Sequence, residues 1–194
     1  MRLTEELRRE HEDILVALNI LDRICKRIKS GQPFSGTDAA FVNELFAGYV
    51  DKCHTGKEEN VLFPALEKLS VAGQDGHVAI RLLEYQMEHQ RLAELVSDID
   101  GLLTRIENEE TTALANFVLC AREYIDLYRQ HIVRENTDVF EIADEEIPQE
   151  LHKEILGKFR KIEEDTIGVN KYMEFRTSLY ALCSEAYPEL NCRK

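Results

Sequence analysis

The sequence predicts an all-α fold: an up-down-up-down four-helix bundle over residues 1–145, followed by two additional helices in a C-terminal extension over residues 146–194. Three observations predict it. Only 4 Pro and 9 Gly occur in 194 residues, and long stretches lack both. Apolar residues recur in alternating steps of three and four, the period of one helix face. Four such stretches are joined by short breaker-rich runs, as in a bundle of antiparallel neighbours.

The first helix begins near Thr4, read as its N-cap, with Glu5 and Glu6 at the positive end of the helix dipole. Leu7, His11, Ile14, Leu18, Leu21, Cys25 and Ile28 form a heptad seam in which His11 takes a core position. Ser30-Gly31-Gln32-Pro33 ends it. A second helix starts at Gly36-Thr37-Asp38, capped by Thr37 or Asp38, and runs through Leu45, Phe46, Tyr49 and Val50 to His54 and Glu58. Pro64 is expected to kink it, and it should end near Leu69, before Val71-Ala72-Gly73-Gln74-Asp75-Gly76. The third follows the seam Val78, Leu82, Tyr85, His89, Leu92, Val96, Ile99, Leu103 and Ile106; the fourth follows Leu114, Phe117, Ala121, Tyr124, Tyr128, His131, Glu135 and Ile142. In the extension, one helix carries Leu151, Ile155, Phe159 and Ile162 after Pro148, and another runs from Val169 through Leu179 and Cys183 to Pro188. Their apolar faces need cover, so they either pack on the bundle or form a homodimer interface.

A net charge of -13 repels phosphate backbones and anionic lipid, which argues against nucleic acid and membrane as partners. The charged start, Met1-Arg2-Leu3-Thr4-Glu5-Glu6, has no apolar run, so neither a signal peptide nor an anchor is expected and the location is read as cytoplasmic. Five scattered cysteines without a C-x-x-C pair read as reduced thiols rather than a disulfide framework or a zinc knuckle.

The chemistry lies in two echoing pairs, His54 with Glu58 and His131 with Glu135. A histidine followed four residues later by a glutamate sets imidazole and carboxylate one above the other on a helix face. His11 and His89 each interrupt an otherwise apolar seam. At 1.5 Å per residue His11 lies ~10 Å and His89 ~20 Å from the start of its helix, while the two pairs lie ~12 to 22 Å before the ends of theirs. Only an antiparallel arrangement brings all six to one depth. So many polar groups in one core layer call for cations among them, and imidazole mixed with carboxylate suits iron, manganese or zinc. The candidate metal ligands are therefore His11, His54, Glu58, His89, His131 and Glu135. His77 lies off the face of His89, and His152, outside the bundle, is read as a surface residue.

With His11 in Glu10-His11-Glu12-Asp13, His54-x-x-x-Glu58-Glu59 with its Leu62-Phe63-Pro64 tail, Glu88-His89 and His131-x-x-x-Glu135, the chain resembles the hemerythrin-like (HHE cation-binding) family over about residues 3 to 145. That resemblance implies two iron ions, oxo- or hydroxo-bridged, with Glu58 and Glu135 bridging and the four histidines terminal; zinc or manganese can replace iron in preparations. It implies a small ligand, dioxygen, peroxide or nitric oxide, that is bound or reduced. Iron handling, iron-sulfur repair and sensing through a partner protein are the alternatives the family offers. Respiratory hemerythrins carry five histidines, two of them four apart on the third helix, where this chain has Tyr85 before and Ala93 after His89. They also place an aspartate five residues beyond the last histidine, where this chain has Glu135 at four. One nitrogen ligand fewer argues against reversible oxygen carriage. Tyr85 is read as core packing, and Glu59 as a residue behind the ligands or in solvent.

Overall fold

The computed structural model describes residues 2–73 and 76–192, apart from the side chains of residues 70–73 and 76. Among these residues the chain is all-helical, with 87% helix and no strand. α1 (Glu5–Lys29) buries the predicted seam from Leu7 to Cys25. Thr4 precedes it without capping it. Its N–H and hydroxyl instead donate to the two carboxylate oxygens of Asp144, at 3.0 and 2.8 Å, which ties the start of α1 to a helix near residue 144.

α2 (Gly36–Leu45) is capped not by Thr37 or Asp38 but by Ser35, two residues before Thr37, whose hydroxyl accepts from the Asp38 N–H at 3.0 Å. The chain then continues without a break through a π-helical stretch (Phe46–His54), one α-helical turn α3 (Thr55–Lys57), a second π stretch (Glu58–Leu62) and α4 (Phe63–Gly73). Around Pro64, where the sequence predicts a kink, the helix is unbroken and the widened stretch ends just before it. Proline has no N–H for the carbonyl four residues back and its ring crowds that carbonyl, which belongs to Asn60 inside the second π stretch. The helix runs past Leu69 to Gly73, and Gln74 and Asp75 of the expected breaker lie outside the described residues.

α5 (Gly76–Glu107) and α6 (Ala113–Thr137) carry the third and fourth seams. The fourth helix was expected to reach Ile142, but it breaks at Asp138 and restarts as α7 (Val139–Glu146). Arg8 takes the Asn136 carbonyl at 2.8 Å and Arg81 pairs with the Asp138 carboxylate, so the backbone there is held from outside the helix. Paired residues run in opposite sense on neighbouring helices. Asn19 meets Arg129 and Asp22 meets Arg122 between α1 and α6; Leu95 meets Cys120 and Glu88 meets Arg134 between α5 and α6. Asn43 on α2 meets Val96 on α5, and Glu10 on α1 meets His54.

α8 (Gln149–Thr166) and α9 (Lys171–Ala186) pack on these helices. Ile155 and Phe159 enter one apolar cluster with Leu3, Leu7, Leu62, Phe63, Leu82 and Phe140; Leu179 and Cys183 enter a second with Ile14, Phe46, Leu92 and Tyr128. Ile155, Phe159, Leu179 and Cys183 are thus covered within the chain, while Leu151, Val169 and Met173 are exposed. α9 is also held by a buried acid, Asp13, which accepts from Tyr172 Oη at 2.7 Å, Tyr180 Oη at 2.9 Å and Arg176 Nε at 3.0 Å. His152 is no free surface residue, since its Nε2 meets the Ile147 carbonyl at 3.0 Å just beyond α7.

Cys183 and Cys192 form a disulfide, contrary to the expectation of five thiols. The turn at Pro188–Leu190 folds the chain back on itself, and an odd total conceals one bridge beside the free Cys25, Cys53 and Cys120. Among the described residues no helix is long and apolar enough to cross a membrane.

Asp13→Ala should leave two phenols and a guanidinium without their acceptor. A loss of about 2–3 kcal/mol in urea unfolding is expected, with earlier proteolysis within residues 149–192; unchanged stability would show that the clamp is not needed.

Candidate metal centre

The six candidate residues sit where the two apolar clusters meet. On α1, Leu7 belongs to one cluster, Ile14 to the other, and His11 lies between them; on α5 the same holds for Tyr85, Leu92 and His89. His54, Glu58, His131 and Glu135 join them, all fully buried except His89, which is 4% exposed. They form two sets of four donor atoms, each set within 4.8 Å: His11, His54, Glu58 and Glu135, and Glu58, His89, His131 and Glu135. The two glutamates belong to both sets.

The donor atoms crowd together at short distances, and few of them are hydrogen-bonded. Nε2 of His54 lies 3.1 Å from Glu58 Oε1, and Nε2 of His11 and of His131 each 3.3 Å from Glu135 Oε2. His89 and His131 turn their Nε2 atoms toward each other at 3.1 Å. Nonetheless Nε2 of His11 and His54 and all four oxygens of Glu58 and Glu135 are buried without a hydrogen-bond partner. Unserved buried polar groups are costly, and a cation between them serves several at once. The donor set therefore fits one or two metal ions.

The opposite nitrogen of each ring is engaged, and the partners close a circle. Glu10 on α1 meets His54 Nδ1 at 2.8 Å; Glu59 on the second π stretch meets His89 Nδ1 at 2.8 Å; Glu88 on α5 meets His131 Nδ1 at 3.0 Å; Asn136 on α6 meets His11 Nδ1 at 3.1 Å. Each partner adjoins a candidate ligand in sequence yet serves a ring on the neighbouring helix. The geometry follows from helix pitch, because the residue next to a seam position lies about 100° around the helix and faces sideways. A carboxylate acceptor fixes Nδ1–H and leaves the Nε2 lone pair pointing into the site.

Glu10, Glu88 and Asn136 were not singled out from sequence as partners of these rings, nor was Lys57. A polar residue immediately beside every seam ligand was the available signal. Glu59, read as lying behind the ligands or in solvent, takes the former place. Tyr85 packs as expected, its ring edge-on to His131 at 5.4 Å between centroids. Phe140 stacks on His11 at 5.2 Å and Phe63 on His89 at 6.1 Å.

Charge dominates burial here. Burial disfavours a charged His54, but the Glu58 carboxylate and the bond to Glu10 raise it to about 10 from the usual 6.5. Burial likewise opposes charge on His131, and Glu135 together with Glu88 raises it to about 9. Glu135 is held well below the carboxylate range against its burial, by His131 and His11. Glu10 is lowered to about 2 against its burial, by His54 and Lys57.

A family model described as the hemerythrin HHE cation-binding domain matches residues 2–143. No curated protein and no solved structure matches the chain.

The histidine shifts set the pH response of the chelator-stripped protein. A folded-state pKa raised above 6.5 gives stability that is fully present below 6.5 and is lost as pH rises through about 9 for His131 and about 10 for His54. The urea midpoint should therefore fall between pH 6.5 and pH 10, and less steeply in His54→Gln. A flat profile would mean that these rings carry no charge in the folded protein.

Proposed function

The chain belongs to the hemerythrin HHE cation-binding domain family, and from that premise we propose that it is a non-heme di-iron protein whose site binds or reduces a small oxidant: dioxygen, peroxide or nitric oxide. In this reading residues 1–145 form an up-down-up-down four-helix bundle around the metal, and 146–194 a helical extension. His11 and His54 would hold one ion and His89 and His131 the other, with Glu58 and Glu135, which belong to both donor sets, shared between them. The observation that carries the reading is that Nε2 of His11 and His54 and all four oxygens of Glu58 and Glu135 are buried without hydrogen bonds, while the Nε2 atoms of His89 and His131 have only each other and every Nδ1 is engaged. Bound iron supplies one-electron redox chemistry and, with four protein donors per ion, open positions for a small molecule.

The protein's part is to aim the ligands and keep water out. Glu10, Glu59, Glu88 and Asn136 fix the tautomer and orientation of the rings. Phe63 and Phe140 wall the imidazoles from the apolar cluster on one side, and Ile14 and Leu92 close the other. A cavity of about 10 Å³, bounded by Phe46, Leu92, Val96, Tyr124, Tyr128 and His89, adjoins the site. That is room for roughly one water-sized molecule, which favours a diatomic ligand or peroxide over an organic substrate. Burial raises Tyr124 and Tyr128 well above the usual phenol range, so both keep their protons at the edge of this cavity.

Protein made in iron-rich medium should contain about two irons per chain, and its absorption spectrum should change on exposure to air or peroxide. One zinc, or no metal, would overturn the reading. His89→Ala should retain about one iron with its helical circular dichroism intact. Metal uptake should also release protons. His54 and His131, at about 10 and about 9 in the metal-free protein, are protonated near neutral pH and must lose those protons to coordinate through Nε2. Titration of ferrous iron into weakly buffered protein should thus liberate about two protons per chain; uptake without acidification would contradict this.

A further inference from the structure

One half of the site is tied to the C-terminal extension. Lys57 is fully buried, and its Nζ donates to Glu10 Oε1 at 2.6 Å, Glu6 Oε1 at 2.6 Å and Glu163 Oε2 at 3.3 Å. The other oxygen of Glu10 accepts from His54 Nδ1 at 2.8 Å. A line of contacts, Glu163 to Lys57 to Glu10 to His54, therefore runs from α8, beyond the 2–143 match, to a candidate ligand. The other half is supported from the surface. His89 rests on Glu59, whose side chain is 33% exposed, and His131 on Glu88, 20% exposed and paired with the half-exposed Arg134.

We propose that Lys57 and Glu163 are positioning residues for His54, and that they make the two ion positions unequal. The ion held with His11 and His54 is retained, and the ion held with His89 and His131 is the exchangeable one. This rests on the dinuclear reading above. An ion leaves when its ligands turn away. Turning His54 leaves Glu10 Oε2 buried without a donor, because Lys57 holds Glu10 in place through the other oxygen, and that is costly. Turning His89 releases Glu59 toward water, which solvates it. The ammonium enclosed by three carboxylates thus acts as a lock on one ring, and α8 supplies part of the lock.

The test uses Co²⁺ alone, loaded into the full chain, with release to excess chelator followed by loss of its visible absorption. Wild type should take up two ions and release them in two phases. In a His89→Ala background only the slow phase should remain. There Lys57→Met should speed release about tenfold, the lower end of the effect for partners behind metal ligands. Glu163→Gln should act in the same direction more weakly. In a His54→Ala background neither substitution should change the release rate. Equal acceleration in both backgrounds would mean general loosening, and no acceleration in the first would mean the lock is absent; either result overturns the inference. Should Lys57→Met fail to give a cooperative melt, Glu163→Gln, at a part-exposed position, decides alone by the same comparison. Failure of wild type to take up a second Co²⁺ would overturn the dinuclear reading itself, and the inference with it.

Discussion

The structure depends on one constraint: a layer of four imidazoles and two carboxylates is enclosed between two apolar clusters, and its charge must be balanced from within the chain or by ions. Apolar packing on both sides denies water to the layer. α1 and α5 each surrender one seam position to it and resume their apolar seams one turn away in either direction, at Leu7 and Ile14 and at Tyr85 and Leu92, whereas the second rod and α6 give two positions each. What the layer loses in burial of apolar surface it gains in a donor set that only cations or protons satisfy. The raised His54 and His131 and the depressed Glu135 are the proton-loaded version of that balance.

The second helical rod shows how the backbone accommodates this demand. Two π stretches flank a single α-helical turn, Thr55–Lys57, and that turn preserves the four-residue relation that stacks His54 over Glu58. The widened turns on either side absorb Pro64 and shift the phase of the residues beyond it. The rod is helical without a break through Pro64, and Val61, Leu62 and Phe63 enter the apolar cluster of Leu3, Leu7 and Phe140.

The seams of α1, α5 and α6, the six converging residues and the all-helical fold were legible because they follow from one period and one count along helices. Buried positions such as Leu7, Ile14, Leu82, Leu92, Phe117 and Ala121 obey it directly. The circle of Nδ1 partners was not legible, for a physical reason. Glu10, Glu59, Glu88 and Asn136 lie off the seam, where a polar residue reads as solvated, and only the lateral spacing of neighbouring helices turns them toward an imidazole. The caps failed differently. Thr4 and Thr37 fit the cap by propensity, while in the fold Thr4 is drawn to the long-range partner Asp144 and the cap of α2 falls two residues before Thr37, at Ser35. The Cys183–Cys192 bridge depends on a turn that spacing alone does not reveal.

Charge counting links the layer, the circle and the extension. Glu58 and Glu135 within the layer, with Glu10, Glu59 and Glu88 around it, make five carboxylates; Lys57 and Arg134 are the cations that meet them. With neutral histidines this leaves an excess of three negative charges, setting aside the part-exposed Glu6 and Glu163. Protons on His54 and His131 reduce the excess to one, whereas two divalent ions reverse it to a single positive charge. The one uncharged member of the circle, Asn136, serves His11 beside the Arg8 guanidinium that binds its own backbone carbonyl, so a fourth outer carboxylate there is replaced by an amide without leaving a cation unmatched. Five of the chain's 37 acidic residues thus stand in or around the layer, and bound cations would offset them.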